Sequence, residues 1–263
     1  MSKRKIYFVL SLLVMVVLVA CRKDSMPDGT LRMRMLDAPA ATYEQVNIDL
    51  KSVQVFVAGR TNDMSGDGWV TLNAKAGLYD LTTLVNGVDQ LLVDEQLPAG
   101  YITQIRLGLG EKNSVMANGQ LYPLTVPSGS ESGLKLNVNE TIVAGNVTEV
   151  FLDFDAQQSV VDEGNGTYSL KPVIRTFTMS ATGSVSGITS TTGPGVTATL
   201  DNGGEVRATP VDAATGYFLI RGVPSGTYTL RVYAPGIVRV IVIPDVVVKV
   251  GVVTDVGVVN MPH

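Results

Sequence analysis

Two carboxylates, Asp153 and Asp155, stand two residues apart at the end of an alternating run that begins at Glu149. In a strand, side chains two apart share a face, so both would point one way while Phe154 points the other. Such a pair suits a hard cation or the capping of the Gln157-Gln158-Ser159 loop that follows. Calcium takes six to eight oxygens, to which Asp37 and Asp49 would have to contribute. A second constellation is Pro127–Gly133, where Ser128, Ser130 and Ser132 precede Lys135. Ser128 or Ser132 with Lys135 has the composition of a serine-lysine nucleophile pair. The same hydroxyls suit contact with a glycan or other ligand, and hydroxyl and glycine clusters between strands form turns before anything else. Trp69, the sole tryptophan, would stack on a sugar if exposed. Because Val70 and Leu72 alternate with Thr71, burial at a strand start explains it as well or better. The stretch Asn62–Gly68 carries Asp63 and Asp67 without the spacing of an EF-hand, and reads as a hairpin tip.

The residue types present only once narrow the chemistry further. The single histidine is His263 and the single cysteine is Cys21. No histidine is placed to serve as a triad base, and the usual His and Cys ligands of zinc are missing. Carboxylate chemistry and a serine-lysine pair survive this cull. A protein without enzymatic activity and without a cofactor is the leading expectation, calcium being the one ion considered. The formal charge is −4, and losing Lys3, Arg4 and Lys5 with an N-terminal leader would make it −7. That balance disfavours nucleic acid as a partner, since its recognition leans on basic surface. One cysteine also rules out a disulfide framework, so stability must come from packing.

The elements that must position these residues read as strands. Leu31, Met33 and Met35 alternate with Arg32 and Arg34; Val46, Ile48 and Leu50 alternate with Asn47 and Asp49; Val53, Val55 and Val57 follow after a break. Further runs span Tyr101 to Leu109, Leu134 to Val138, Glu149 to Phe154 and Tyr168 to Phe177, with Gly, Pro, Asn and Asp between them. This is the pattern of half-buried strands in an all-β protein. Leu81, Leu84, Val85, Val88, Leu91 and Leu92 recur at three- and four-residue spacing and predict one short helix. Between Thr176 and Gly195, Ser, Thr and Gly dominate, as in an interdomain linker or a first edge strand. The boundary is placed near Ala181. The valine-rich end, Ile237 to Val259, is interrupted by Arg239, Asp245, Lys249 and Asp255 and reads as strand, not membrane span.

The first residues read as an address. Lys3-Arg4-Lys5 precede an apolar run from Ile6 to Ala20, which is short of the roughly 20 residues needed to span a bilayer. Leu18-Val19-Ala20-Cys21 closes it and resembles the lipobox of bacterial lipoproteins. That resemblance implies cleavage before Cys21, acylation of its sulfur and amine, and attachment to the membrane through those chains. Arg22 is not the aspartate that commonly retains such proteins in the inner membrane, so an outer-membrane, lipid-anchored protein is expected, with surface exposure considered. Lys23-Asp24 resembles part of a surface-export signal of Bacteroidota. Asp24-Ser25-Met26 resembles an O-glycosylation acceptor at Ser25.

Two further resemblances cover the rest of the chain. Ala213-Ala214-Thr215-Gly216-Tyr217-Phe218-Leu219-Ile220, followed by Gly222-Val223-Pro224-Ser225-Gly226-Thr227-Tyr228-Thr229-Leu230, resembles the carboxypeptidase regulatory-like domain over about 183–263. This implies a small prealbumin-like Greek-key sandwich with no catalytic residues. Pro224 and Gly226 favour a tight turn that would pair Phe218 and Ile220 with Tyr228 and Leu230. The residues from about Gly29 to Phe177 resemble the bacterial family catalogued as domain of unknown function 4382. The match rests on Gly29-Thr30-Leu31 with Asp37-Ala38-Pro39, Pro98-Ala99-Gly100-Tyr101 with Gln104-Ile105-Arg106-Leu107, Pro127-Ser128-Gly129 with Ser132-Gly133-Leu134-Lys135-Leu136, and Asp153-Phe154-Asp155.

Together these readings give a signal peptide at 1–20, a lipidated tether at 21–28, a β-sandwich domain at 29–180 and a regulatory-like β-sandwich at 181–263. The expected role is binding or adhesion at the cell envelope, toward a glycan or a protein partner. The alternatives are a structural spacer or pilus-like subunit, and a carboxylate-dependent glycan hydrolase.

Overall fold

The computed structural model describes residues 27–38, 43–58, 68–127, 133–190, 192–204, 206–236 and 240–261. Cys21, Ser25, Ser128, Ser130 and Ser132 lie outside the described residues. The first thirteen strands are β1 (Asp28–Ala38), β2 (Gln45–Ala58), β3 (Trp69–Leu72), β4 (Gly77–Asp80), β5 (Gln90–Pro98), β6 (Gly100–Leu109), β7 (Ser114–Ala117), β8 (Gln120–Thr125), β9 (Leu134–Ile142), β10 (Val147–Asp155), β11 (Val160–Gly164), β12 (Thr167–Leu170) and β13 (Ile174–Phe177). A one-turn helix, α1 (Ala156–Ser159), lies between β10 and β11. The remaining strands are β14 (Gly183–Thr189), β15 (Thr197–Asp201), β16 (Val206–Pro210), β17 (Tyr217–Val223), β18 (Gly226–Tyr233), β19 (Ile241–Val248) and β20 (Val253–Val259). The chain is therefore all-β, as the alternating runs predict.

These strands form four sheets. The first runs β13-β10-β1-β5 and the second β11-β12-β8-β7-β2-β6-β9, with β3 and β4 also on β2. The third runs β17-β14-β20 and the fourth β16-β15-β18-β19. One apolar core lies under the first two sheets, with Met33, Met35, Val53, Val55, Ile105, Leu152 and Phe154 among its residues. A second core lies between the third and fourth sheets, built from Val185, Leu200, Phe218, Ile220, Tyr228 and Leu230. Each such side chain taken fully out of water contributes about 1.5–3 kcal/mol.

The centre of the first sheet is a parallel pair. β1 lies beside β10 from Thr30↔Val147 to Ala38↔Asp155. Parallel strands are usually covered on both faces, and this pair obeys the rule. Its inner face sends Met33, Met35, Val150, Leu152 and Phe154 into the first core. On its outer face, Leu36 and Phe151 form a smaller apolar cluster with Phe177. The alternation around Arg32 and Arg34 predicts a wet outer face, but part of that face is the seat on which the C-terminal sheets rest.

Four expectations are corrected. The helical stripe from Leu81 to Leu92 yields only a 3-10 turn, Leu81–Thr83, capped by Asp80, whose Oδ1 accepts from the Thr82 N–H at 3.1 Å. Helix cannot continue because Asn86 (φ 54°) and Gly87 (φ 91°) take left-handed backbone, and Leu91 and Leu92 belong to β5. The run Tyr168 to Phe177 is two strands. Pro172 lies in the break, and β12 pairs with β8 in the second sheet while β13 pairs with β10 in the first. β14 is not a linker or an edge but the middle strand of its sheet, between β17 and β20. Its small residues permit that position: a Cβ on Gly183 would meet the Lys249 carbonyl at 2.3 Å. Finally, Phe218 and Ile220 do not pair with Tyr228 and Leu230 in a hairpin. β17 pairs with β14, and β18 with β15 and β19, so Pro224-Ser225-Gly226 carries the chain from one sheet to the other and the four side chains meet across the core.

Candidate functional site

The side chains with most potential for chemistry gather where the C-terminal sheets meet the outer face of the first sheet. Asp153 and Arg175 are register partners across β10 and β13. The Arg175 Nε donates to the Asp153 carboxylate, and its Nη1 and Nη2 donate to the carbonyls of Gly222 (3.1 Å) and Arg221 (3.2 Å). One guanidinium thus ties a buried carboxylate in the first sheet to the backbone of β17 in the third. Arg221 returns the connection. Its Nη1 donates to Asp89 Oδ2 at 2.9 Å, while Arg34 Nη1 donates to Asp89 Oδ1 at 2.6 Å. The Arg221 guanidinium also lies 4.4 Å from the centre of the Phe151 ring, which stacks on Phe177 at 5.1 Å. Cation–π contacts of this kind add roughly 0.5–2 kcal/mol. On the far side of the joint, Asn86 Oδ1 accepts from Thr209 Oγ1 (3.2 Å) and from the Leu219 N–H (3.3 Å).

Between these contacts is a void of about 20 Å³ lined by Asp37, Asn86, Asp153, Arg175, Thr209 and Arg221 among others. A space of that size holds one water at most. Next to it, sharing Asp153 and Arg175, opens a cleft of about 530 Å³. Its walls are Asp155, Gln157 and Gln158 around α1, Val173 and Ile174 at β13, and Val206, Arg207 and Ala208 of β16.

Burial dominates the electrostatics. The Asp153 carboxyl is held above the usual carboxylate value by burial, which outweighs the downward pull of Arg175 and Arg207. Its Oδ1 is buried without a hydrogen-bond partner. Asp37 is pushed well above the ordinary value, again by burial, although the Ala156 N–H donates to its Oδ1 at 3.0 Å and opposes the shift. Asp153, Asp155 and Asp80 add to the upward push.

Asp153 and Asp155 do share a face, as their spacing predicts, and both reach the cleft. Asp155 is engaged at the start of α1, accepting from the Gln158 N–H (2.8 Å) and from Gln158 Nε2 (2.5 Å). This is the loop-capping role considered for it. Asp49 lies elsewhere: its carboxylate accepts from the Lys112 N–H at 3.2 Å. Among the described residues no group of three or more His, Cys, Asp or Glu is placed to hold a metal ion, so the calcium set proposed around Asp153 and Asp155 is not brought together there. Trp69 is half-buried at the start of β3, with Phe56 edge-on at 5.4 Å and the Arg106 guanidinium 3.8 Å from its ring centre. One ring face is therefore covered. Lys135 is exposed on β9, in register with Arg106.

Arg175, Arg221, Asp89, Asn86 and Arg207 are site residues that sequence reasoning missed. A signal was present in one of them, since Arg221 interrupts the otherwise apolar strand β17, where a charge needs a partner.

No curated protein matches the chain. Among solved structures, it is similar to the Bacillus anthracis TIE protein, at 13 % identity and a TM-score of 0.22, covering 89 % of this chain and 34 % of that one. The chain thus spans about a third of that protein's length. It is also similar to GBS52, the minor pilin of Streptococcus agalactiae, at 9 % identity and a TM-score of 0.23, covering 88 % of this chain and 97 % of that one. A family model described as a domain of unknown function, DUF4382, matches residues 28–172, more than half of the chain, and the chain belongs to that family.

Proposed function

We propose that this DUF4382 protein is a non-enzymatic, lipid-anchored component of the bacterial cell envelope that binds a glycan or protein partner in the cleft beside Asp153 and Arg175. Acyl chains on Cys21 hold it to the outer membrane, and Ser25 is a glycosylation acceptor in the tether. The C-terminal sheets are a carboxypeptidase regulatory-like sandwich that forms one wall of the seat. Among the described residues no helix is long and apolar enough to cross a membrane.

The observation that carries this reading is the state of the two cleft carboxylates. Asp153 is ion-paired with Arg175 and Asp155 caps α1, so both are held by protein partners on the wall of a cleft large enough for a ligand. A glycan hydrolase needs one such group free to give a proton and another free to attack or activate water. Fixed carboxylates and amides instead suit a seat that orients a ligand without transforming it. The hydrogen-bonded joint also supports a second reading, a rigid spacer or pilus-like subunit.

A glycan array and a pull-down with the full-length chain in detergent test the binding reading. A ligand lost when Ala208→Trp fills the cleft is expected; two empty screens favour the spacer. Glycan cleavage abolished by Asp153→Asn would overturn the non-enzymatic assignment. Cys21→Ser is expected to release the protein from the envelope fraction, and persistence there would overturn the lipid anchor.

A further inference from the structure

The long walls of the cleft are sheet edges. β13 ends the first sheet and β16 ends the fourth, each with a strand partner on one side only. An edge strand presents unpaired backbone N–H and C=O groups, and proteins commonly blunt such edges with bulges, prolines or left-handed residues. The other sheet ends here are treated in that way. The ladders holding β5, β9, β11, β17, β19 and β20 all contain a register shift. β19 adds Pro244 within the strand and a left-handed Asp245 (φ 58°). The ladders of β13 on β10 and of β16 on β15 run without a shift, as do those of β3 and β4 on β2, and the proline of β16, Pro210, stands at its last position. Two strand edges with regular ladders therefore border the same cleft.

We propose that the cleft accepts an extended segment of a partner protein, which adds as a strand to the free edge of β16 and lies against β13. This rests on the reading of the cleft as a binding seat and names the class of partner. The edge chemistry selects the occupant: a row of backbone donors and acceptors is matched by another extended backbone, with side-chain pockets giving specificity. β16 has five residues and β13 four, which sets the paired segment at four or five residues, about 13–17 Å long. Val206 (57 % exposed) and Val173 (42 % exposed) stand at the cleft and would be covered by apolar side chains of the segment. Gln157 and Gln158 would meet its polar ones. A sugar finds less to bind, because among the described residues no aromatic ring lines the cleft to stack against it.

The test is a phage-displayed library of random twelve-residue peptides, panned on the full-length chain in detergent. Enriched peptides are expected to alternate apolar and polar residues and to lose binding at least tenfold in Ala208→Trp. Val206→Lys, at an exposed position that leaves folding intact, is expected to weaken them severalfold. N-methylation of the peptide backbone is expected to weaken binding at every second position and to have little effect between. Peptides indifferent to N-methylation, or to both variants, would overturn strand addition. A glycan that binds and is lost in Ala208→Trp, with no peptide doing so, would overturn this inference while keeping the seat. Loss of no ligand of either class in that variant would overturn both.

Discussion

The tight joint and the wide cleft share Asp153, Arg175 and Ala208, yet they are filled very differently. In the joint, charged and polar groups reach across from one set of sheets to the other: Arg175 to the carbonyls of β17, Arg221 to Asp89, and Asn86 to Thr209 and Leu219. What is left between them is about 20 Å³. In the cleft, the same two bodies leave about 530 Å³ between them, and the bordering strands keep free edges. The difference teaches that the cleft is held open by the joint beside it. A seat whose walls are fixed before the ligand arrives avoids much of the ordering cost of binding.

The most severe way to break that arrangement is Arg175→Leu. It leaves the buried Asp153 without its hydrogen-bonded ion-pair partner and removes both hydrogen bonds to β17. Breaking a buried pair from one side costs about 3–5 kcal/mol. Urea unfolding read by Trp69 fluorescence, which reports the N-terminal sheets, and by far-ultraviolet circular dichroism is expected to show the loss. A loss below about 1 kcal/mol would mean that the joint is held by its apolar contacts and not by this pair.

Gly222→Ala strikes the same place through packing. Gly222 has φ +65°, and a Cβ there would sit 2.6 Å from the Phe177 ring. The ring is stacked on Phe151 and has little room to yield. Overpacking and left-handed strain together are expected to cost about 1–3 kcal/mol by urea midpoint. Should the variant match the wild type, Phe177 moves freely and the joint is softer than its contacts suggest.

How much of this was legible in the sequence follows from which contacts are local. The alternation of Met33 with Met35, and of Val53 with Val55 and Val57, places the core, because the period of a strand is written in adjacent residues. The shared face of Asp153 and Asp155 is legible for the same reason. Their partners are not: Arg221 meets Asp89 across 132 positions, and the Asp153–Arg175 pair depends on β13 choosing the first sheet over the second. The failed helix is instructive, since a helical stripe of leucines was overruled by Asn86-Gly87, the same short turn that sets Asn86 against Thr209. Which strands end a sheet is a property of topology, so the free edges of β13 and β16 had no signature in composition.

The effect that depends most on conditions is expected at Asp37, on the wall of the small void, where a substitution changes charge and leaves shape alone. Burial raises its pKa well above the ordinary value, whereas in the unfolded chain it titrates near about 3.9. The folded protein therefore holds this proton more tightly than the unfolded one. The stability so gained is fully present below the unfolded value and is lost as pH rises through the folded one. Asp37→Asn keeps an Oδ1 to accept from the Ala156 N–H and removes the ionisation. The variant and the wild type should have similar urea midpoints in acid. They should then diverge as pH rises above the unfolded value, the gap becoming complete once pH has passed the folded pKa of Asp37, with the variant the more stable. If the two curves stay parallel from about pH 4 to pH 9, the Asp37 carboxyl is hydrated in the folded protein, and burial does not govern its titration.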